Sequence, residues 1–268
     1  MNEIVHIQKN IPELINICKE VSSLQLKFHK TNIEYTSKEN NTPVTEIDIE
    51  SNNIITKSIK NFSNEVSIIS EENYQGIHTG SCFWMIDPLD GTRNYINKGN
   101  QFCINIAFIK NNYPIFGMIY SPIEQKVFYA IEGKGSFVME LNKKPTQIYV
   151  NKINSNLINI YTSSSMNEKK LNFLINEIPN VKINKLSSAL KFTTIASGNG
   201  CFYPRLGPTH EWDTAAGQCI VEEAGGAVVD KYMSRFKYNK NDTYLNQEFF
   251  VIADSMFDWK DIINQLCE

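Results

Sequence analysis

The chain has 268 residues, 42% of them hydrophobic and 21% charged, with a formal net charge of −3. That composition belongs to an ordinary globular protein able to bury a sizeable core, and the length falls between one large domain and two small ones. A mildly acidic chain has no global attraction for nucleic acid or acidic membranes, so an anionic substrate must be held by local cations, which favours a small ligand over a polymer.

In the first thirty residues Ile11, Leu14, Ile15, Cys18, Val21 and Phe28 recur at helical spacing and predict an amphipathic helix with one buried stripe. The polar stretch Thr36 to Thr42 reads as a loop. Thr45 then caps a second helix carrying Ile47, Ile54, Ile55, Ile59 and Phe62, which ends before Ser63-Asn64. From Val66 the pattern changes to short β-rich runs, VSIIS, CFWMI, FCINIAFI, IFGMIY, KVFYAI and GSFVME, separated by Gly, Pro and Asn turns; these predict a largely antiparallel sheet. After about residue 145 strands and helices alternate: LINIYTS, a helix near 167–177, VKINKL, a helix near 188–196 and a short strand. A helix from about Asp213 to Ala224 stops at Gly225-Gly226, and FFVIAD and a last helix follow. There is no internal repeat and no long linker, so the halves 1–145 and 146–268 are expected to form one compact unit sharing an interface, a usual place for a small-molecule site.

The six cysteines show no CxxC spacing and are expected as reduced thiols. The N-terminal segment mixes charges into its apolar positions, and no stretch approaches the ~20 apolar residues of a membrane span. The expected address is the cytoplasm, with peripheral contact at the cytoplasmic face of the inner membrane left open.

The most informative segment is WMIDPLDGTRNYIN, residues 84–97. An apolar strand runs into Asp87, and Pro88 cannot continue its ladder, so the chain is expected to turn there and point Asp87 and Asp90 into one space. Like charges so placed repel unless a cation joins them, and magnesium, which takes oxygen ligands, suits few carboxylates plus water and phosphate. Gly91 lets backbone approach a ligand, and its N–H with that of Thr92 can receive phosphate oxygens. Upstream, VSIIS delivers Glu71 and Glu72; downstream, GPTHEWDTAAGQ places Asp213 at the start of a helix whose Ala215, Ala216 and Gly217 permit close packing toward the first acids. Taken singly, each has a plainer reading as a turn, a solvated surface or a helix cap.

Together, TPVTEID, ISEE, WMIDPLDGT and EWDTAAGQ resemble, in order and over nearly the whole chain, the magnesium-dependent, lithium-sensitive phosphatases of the inositol monophosphatase superfamily. SALKF, FYPRLGPTHEWDTAAGQ and GNQFCINIAFIKNNYPIFGMIYSP are most similar to its bacterial 3'(2'),5'-bisphosphate nucleotidase group, CysQ. The resemblance implies a layered α-β-α-β-α sandwich, with an antiparallel sheet in the first half and a mixed one in the second. It implies two or three magnesium ions held by Glu71, Asp87, Asp90, Asp213 and the Leu89 carbonyl, with lithium as an inhibitor. Thr92, with Glu71 or Asp48, would orient and deprotonate the attacking water; Gly91, Thr92, Ser188, Lys191, Arg205 and Asp213 would contact the substrate, with Tyr203 either near the base or in the core. Ser188 and Lys191, three residues apart on the expected helix, would share a face.

The implied reaction is hydrolysis of the 3'-phosphate of adenosine 3',5'-bisphosphate to AMP and phosphate, with the sulfated 3'-phosphoadenylyl compound as a second substrate and the protein a monomer or homodimer. An inositol- or sugar-phosphate phosphatase is the alternative, and a catalytically silent phosphate-binding protein the non-enzyme one. Two departures bear on the nucleoside: Arg93-Asn94-Tyr95, where the nucleotidase group more often has Lys-Glu-Phe, and TSSSM, where it often carries a histidine near Met166.

Overall fold

A computed structural model describes residues 3–31, 33–37, 43–74, 76–140, 143–153 and 157–268. Helix α1, Glu3–Phe28, leads into a small hairpin of β1, Tyr35–Ser37, and β2, Pro43–Thr45. Thr36 and Ser37 are therefore in a strand, not the expected loop, while 38–42 lie outside the described residues. Thr45 caps α2, Glu46–Phe62: its hydroxyl accepts from the N–H groups of Ile47 and Asp48, and Asp48 returns a bond to the Thr45 N–H.

A seven-stranded sheet follows, from β3, Ser67–Ser70, and β4, Cys82–Asp90, through the short α3, Thr92–Ile96, to β5, Cys103–Lys110, β6, Tyr113–Ser121, β7, Lys126–Ile131, β8, Gly135–Glu140, and β9, Thr146–Ile148. Each neighbouring pair is antiparallel except β3 and β4, which are parallel. This first sheet is therefore largely antiparallel, as expected, with one parallel pair at its β3 edge. The physical reason is the return of residues 71–81 from the end of β3 to the start of β4, so both strands deliver their C-terminal ends side by side. The second sheet, ordered β11-β10-β12-β14-β13, is mixed as expected. It comprises β10, Ile158–Thr162, then after α4, Glu168–Glu177, β11, Val181–Lys185. Helix α5, Leu190–Ala196, precedes β12, Phe202–Arg205; a 3-10 turn, Glu211–Asp213, leads into α6, Ala215–Glu223; and β13, Ala227–Val229, β14, Phe249–Ile252, and α7, Lys260–Cys267, end the chain.

Strand alternation sorts the core into layers. On β4, Trp84 and Ile86 pack with Leu14, Cys18 and Val21 of α1 and Ile55 and Ile59 of α2, whereas Phe83 and Met85 join the cluster that holds α5 and α6. The far face of the second sheet packs Phe202 and Phe250 against Leu174 of α4 and Trp259 and Ile263 near and on α7. The result is an α-β-α-β-α sandwich with α5 and α6 between the sheets. Each fully buried aliphatic or aromatic side chain in such a layer contributes about 1.5–3 kcal/mol relative to exposure. All six cysteines are unpaired thiols.

Candidate active site

Pro88 does not end β4. The ladder with β5 pairs Asp87 with Asn105 and Asp90 with Cys103, and slips between them. A step of three on β4 thus opposes a step of two on β5, which is a bulge. Without it, an odd spacing would put the two aspartates on opposite faces; the extra residue returns them to one face, that of Phe83 and Met85. Proline is tolerated here because a bulged residue has no ladder bond to lose. The chain turns instead at Gly91, whose φ of 97° lies in the left-handed region and whose absent Cβ would sit 2.8 Å from the Gln101 carbonyl.

Glu71 follows β3 directly, and its N–H donates to the Ile86 carbonyl at 3.1 Å, extending the parallel pairing by one residue and setting Glu71 beside Asp87. Asp213 arrives from the other side. Helix α6 lies against β6 where Gly117 leaves room: a Cβ there would be 2.2 Å from the Ala216 carbonyl, and one on Gly217 would be 2.3 Å from the Phe192 ring. Carboxylate oxygens of Glu71, Asp87 and Asp213 consequently lie within 4.8 Å of one another. Asp90 stands beside this trio and is not one of it. Its Oδ2 accepts from the Ala189 N–H at 2.5 Å, the Asn105 amide at 3.2 Å and the Cys103 thiol at 3.6 Å.

Burial holds Asp87 well above the usual carboxylate range, and the charges of Glu71, Asp90, Asp213 and Glu72 push it the same way. Burial, then Asp90 and Glu71, do the same to Asp213. For Asp90 burial also raises the pKa, opposed by the Ala189 N–H and the Lys191 charge. An all-oxygen set of mutually repelling acids, Asp87 buried and the others half-buried, is what a divalent cation such as magnesium fits, since it supplies the missing counter-charge.

Asp48 serves two ends at once. Oδ2 accepts from the Thr45 N–H at 2.8 Å and the Thr45 hydroxyl at 2.5 Å, while Oδ1 accepts from the Thr92 hydroxyl at 3.0 Å. Thr92 Oγ also lies 3.1 Å from the Leu89 carbonyl. Burial raises the Asp48 pKa, with the Thr45 and Thr92 bonds opposing.

On the other side of the site, Ser188 has φ 57° and precedes α5, so it does not share a helix face with Lys191 as expected. Lys191 reaches back instead: its ammonium donates to the carbonyls of Ser188 at 2.6 Å and Leu186 at 3.1 Å, and sits 4.9 Å from the centre of the Tyr203 ring. Burial lowers its pKa to about 8, with Asp90 opposing. Tyr203 is buried between Phe192 and Phe249 and also lines the cavity. Arg205 is held by its own loop, donating to the carbonyls of Gly207 at 3.0 Å and Pro208 at 2.7 Å.

One cavity of about 600 Å³ gathers these parts, lined by the four acids, Gly91 and Thr92, and also by Ser188, Lys191 and Arg205. The sequence reading missed the groups that hold Asp90. Cys103 and Asn105 carry a signal, since they alternate onto one face, but their meeting with Asp90 depends on the bulge. It also missed His210, which lines the cavity with its ring stacked on Trp212 at 4.7 Å.

A cluster of carboxylates that suits a divalent cation shares its cavity with a buried lysine and a loop-fixed arginine, a combination that suits a small anionic ligand. The chain belongs to the inositol monophosphatase family, whose model matches residues 7–256, and is a phosphomonoesterase of that family. It is 33% identical over 242 residues to a 3'(2'),5'-bisphosphate nucleotidase CysQ of Haemophilus influenzae, covering 88% of this chain and 90% of that one. Among solved structures it resembles an IMPase of Thermotoga maritima, with TM-score 0.81, 26% identity and coverage of 96% of this chain and 98% of that one. It also resembles CysQ from Bacteroides thetaiotaomicron, with TM-score 0.75, 26% identity and coverage of 92% and 97%.

Proposed function

We propose that this protein hydrolyses the 3'-phosphate of adenosine 3',5'-bisphosphate, giving AMP and phosphate. The observation that carries the reading is the sharing of one cavity by the acid cluster and by Lys191 and Arg205, which suits a ligand with two phosphates. The nucleotidase names of the similar CysQ proteins of Haemophilus influenzae and Buchnera aphidicola support it. Glu71, Asp87 and Asp213, with Asp90 and the Leu89 carbonyl, would hold magnesium, which supplies electrostatic stabilisation to the attacking and leaving oxygens and makes a water more acidic.

The side chains do the rest. Thr92 commits its proton to Asp48, so its lone pairs are open to accept a hydrogen bond from the attacking water. Asp48, more basic than an ordinary aspartate because it is buried, takes the proton through Thr92, with Glu71 as the alternative acceptor. The N–H groups of Gly91 and Thr92 receive phosphate oxygens. As the water oxygen joins phosphorus, the bond to the ribose 3' oxygen breaks; that oxygen takes a proton from a solvent water, and Asp48 returns the proton it accepted to solvent, so the step balances. Ser188, Lys191 and Arg205 hold the phosphate that stays. Asn94 and Tyr95, two of the residues that depart from the nucleotidase group's pattern, face the protein: Asn94 accepts from the Gln101 N–H at 2.8 Å and the Tyr95 hydroxyl donates to the Gln25 carbonyl at 2.6 Å.

Arg205→Ala tests the assignment. Losing a charge-assisted contact should weaken binding of the bisphosphate by about 1.5–3 kcal/mol and leave a monophosphate almost unaffected. Equal losses on adenosine 3',5'-bisphosphate and inositol 1-phosphate would remove the basis for a second phosphate site.

A further inference from the structure

Gln25 lies on α1, fully buried and outside the cavity lining. Its side-chain amide donates to the Pro88 carbonyl at 2.8 Å and stands 3.4 Å from the Ser51 hydroxyl. The peptide unit joining Pro88 to Leu89 is thus held from both sides, because its N–H donates to Oδ1 of Asp87 at 3.0 Å. A peptide unit is planar, so its C=O and N–H turn together. Swinging the carbonyl away from Gln25 would swing the N–H away from the Asp87 carboxylate.

This peptide sits inside the bulge, where the ladder to β5 is interrupted. A partner from outside the sheet is needed to fix it, and Gln25 is placed to be that partner. Neighbouring contacts hold the helix to the same segment: the Tyr95 hydroxyl donates to the Gln25 main-chain carbonyl at 2.6 Å, and one turn further on His29 Nε2 lies 2.7 Å from the Gly99 carbonyl. The amide is also expensive where it stands, since its Oε1 is buried with no partner among the described residues. An aliphatic side chain would pack there without that cost and without the bond to Pro88.

We infer that Gln25 is a positioning residue that sets the orientation of the Asp87 carboxylate, and through it the geometry of the metal site, by fixing a single peptide unit. The inference rests on the reading of Glu71, Asp87 and Asp213 as metal ligands.

The test is direct titration of Mn²⁺ into metal-depleted protein, followed by electron paramagnetic resonance, for the wild type, Gln25→Met and Ser51→Ala. Gln25→Met should weaken Mn²⁺ binding about tenfold or more, as loss of a group supporting a ligand does, while the KM for substrate at saturating metal and the metal-free melting temperature stay near wild type. Ser51→Ala, which spares the Pro88 contact, should bind Mn²⁺ as the wild type does. Wild-type affinity in Gln25→Met overturns the inference, as does an equal loss in Ser51→Ala, which would mean general packing. Should Gln25→Met not fold, Gln25→Leu likewise removes the donor to the Pro88 carbonyl, and the same loss is expected. A wild-type protein that binds no Mn²⁺ would overturn the metal-site reading itself.

Discussion

Asp87, Asp90 and Asp213 each stand above the usual carboxylate range with burial as the first cause, and this fixes the sign of a stability effect. A carboxyl whose folded pKa exceeds its unfolded one contributes stability that is complete below the unfolded value and is lost as pH rises through the folded value. The metal-depleted protein should therefore melt at a higher temperature as pH is lowered from neutral through the weakly acidic range, and saturating magnesium should flatten or reverse that slope. Calorimetric scans with and without chelator check it, and a metal-depleted melting point that falls over that window contradicts it. Lys191 belongs at this scale too. The sequence presents it as a substrate contact, but its ammonium already holds the carbonyls of Leu186 and Ser188, and the Ala189 N–H holds Asp90. Arg205, not Lys191, is consequently the cleaner probe of substrate choice.

Elements were legible where periodicity was long and hidden where it was short. Helices α1 and α2, with the Thr45 cap, follow from their apolar stripes, and β3 to β8 from their apolar runs. The three-residue strands β1, β2, β9 and β13 carry no pattern, and α3 covers only Thr92–Ile96. Candidate acids were readable as residue types at strand ends and a helix start. Their convergence was not, because it depends on the parallel β3 and β4 pair, on the bulge between Asp87 and Asp90, and on how closely α6 meets β6. That last contact gives a prediction. Gly117→Ala puts a Cβ into the Ala216 carbonyl, so α6 must move outward and carry Asp213 with it. Stability in urea should fall by about 1–3 kcal/mol, the usual cost of overpacking, and magnesium affinity should fall as well. A variant with unchanged metal affinity would show that Asp213 is placed independently of this contact.

At the scale of the molecule, residues of both sheets meet in one cluster around α5 and α6, and the cavity opens where the two sheets contribute to that layer. The first half brings Glu71, Asp87 and Asp90, the second brings Asp213, Lys191 and Arg205, so neither half holds the whole site. Net charge is −3, and Arg93, Lys191 and Arg205 line the same cavity as the four acids, giving an anionic ligand local cations. Among the described residues no helix is long and apolar enough to cross a membrane. Phosphate release from adenosine 3',5'-bisphosphate, inositol 1-phosphate and fructose 1,6-bisphosphate, measured side by side with magnesium and after exhaustive chelation, tests the central claim most directly. The account predicts magnesium-dependent release with the highest kcat/KM on adenosine 3',5'-bisphosphate, abolished on every substrate by Asp90→Ala; full activity after chelation, or a higher kcat/KM on inositol 1-phosphate, would contradict it.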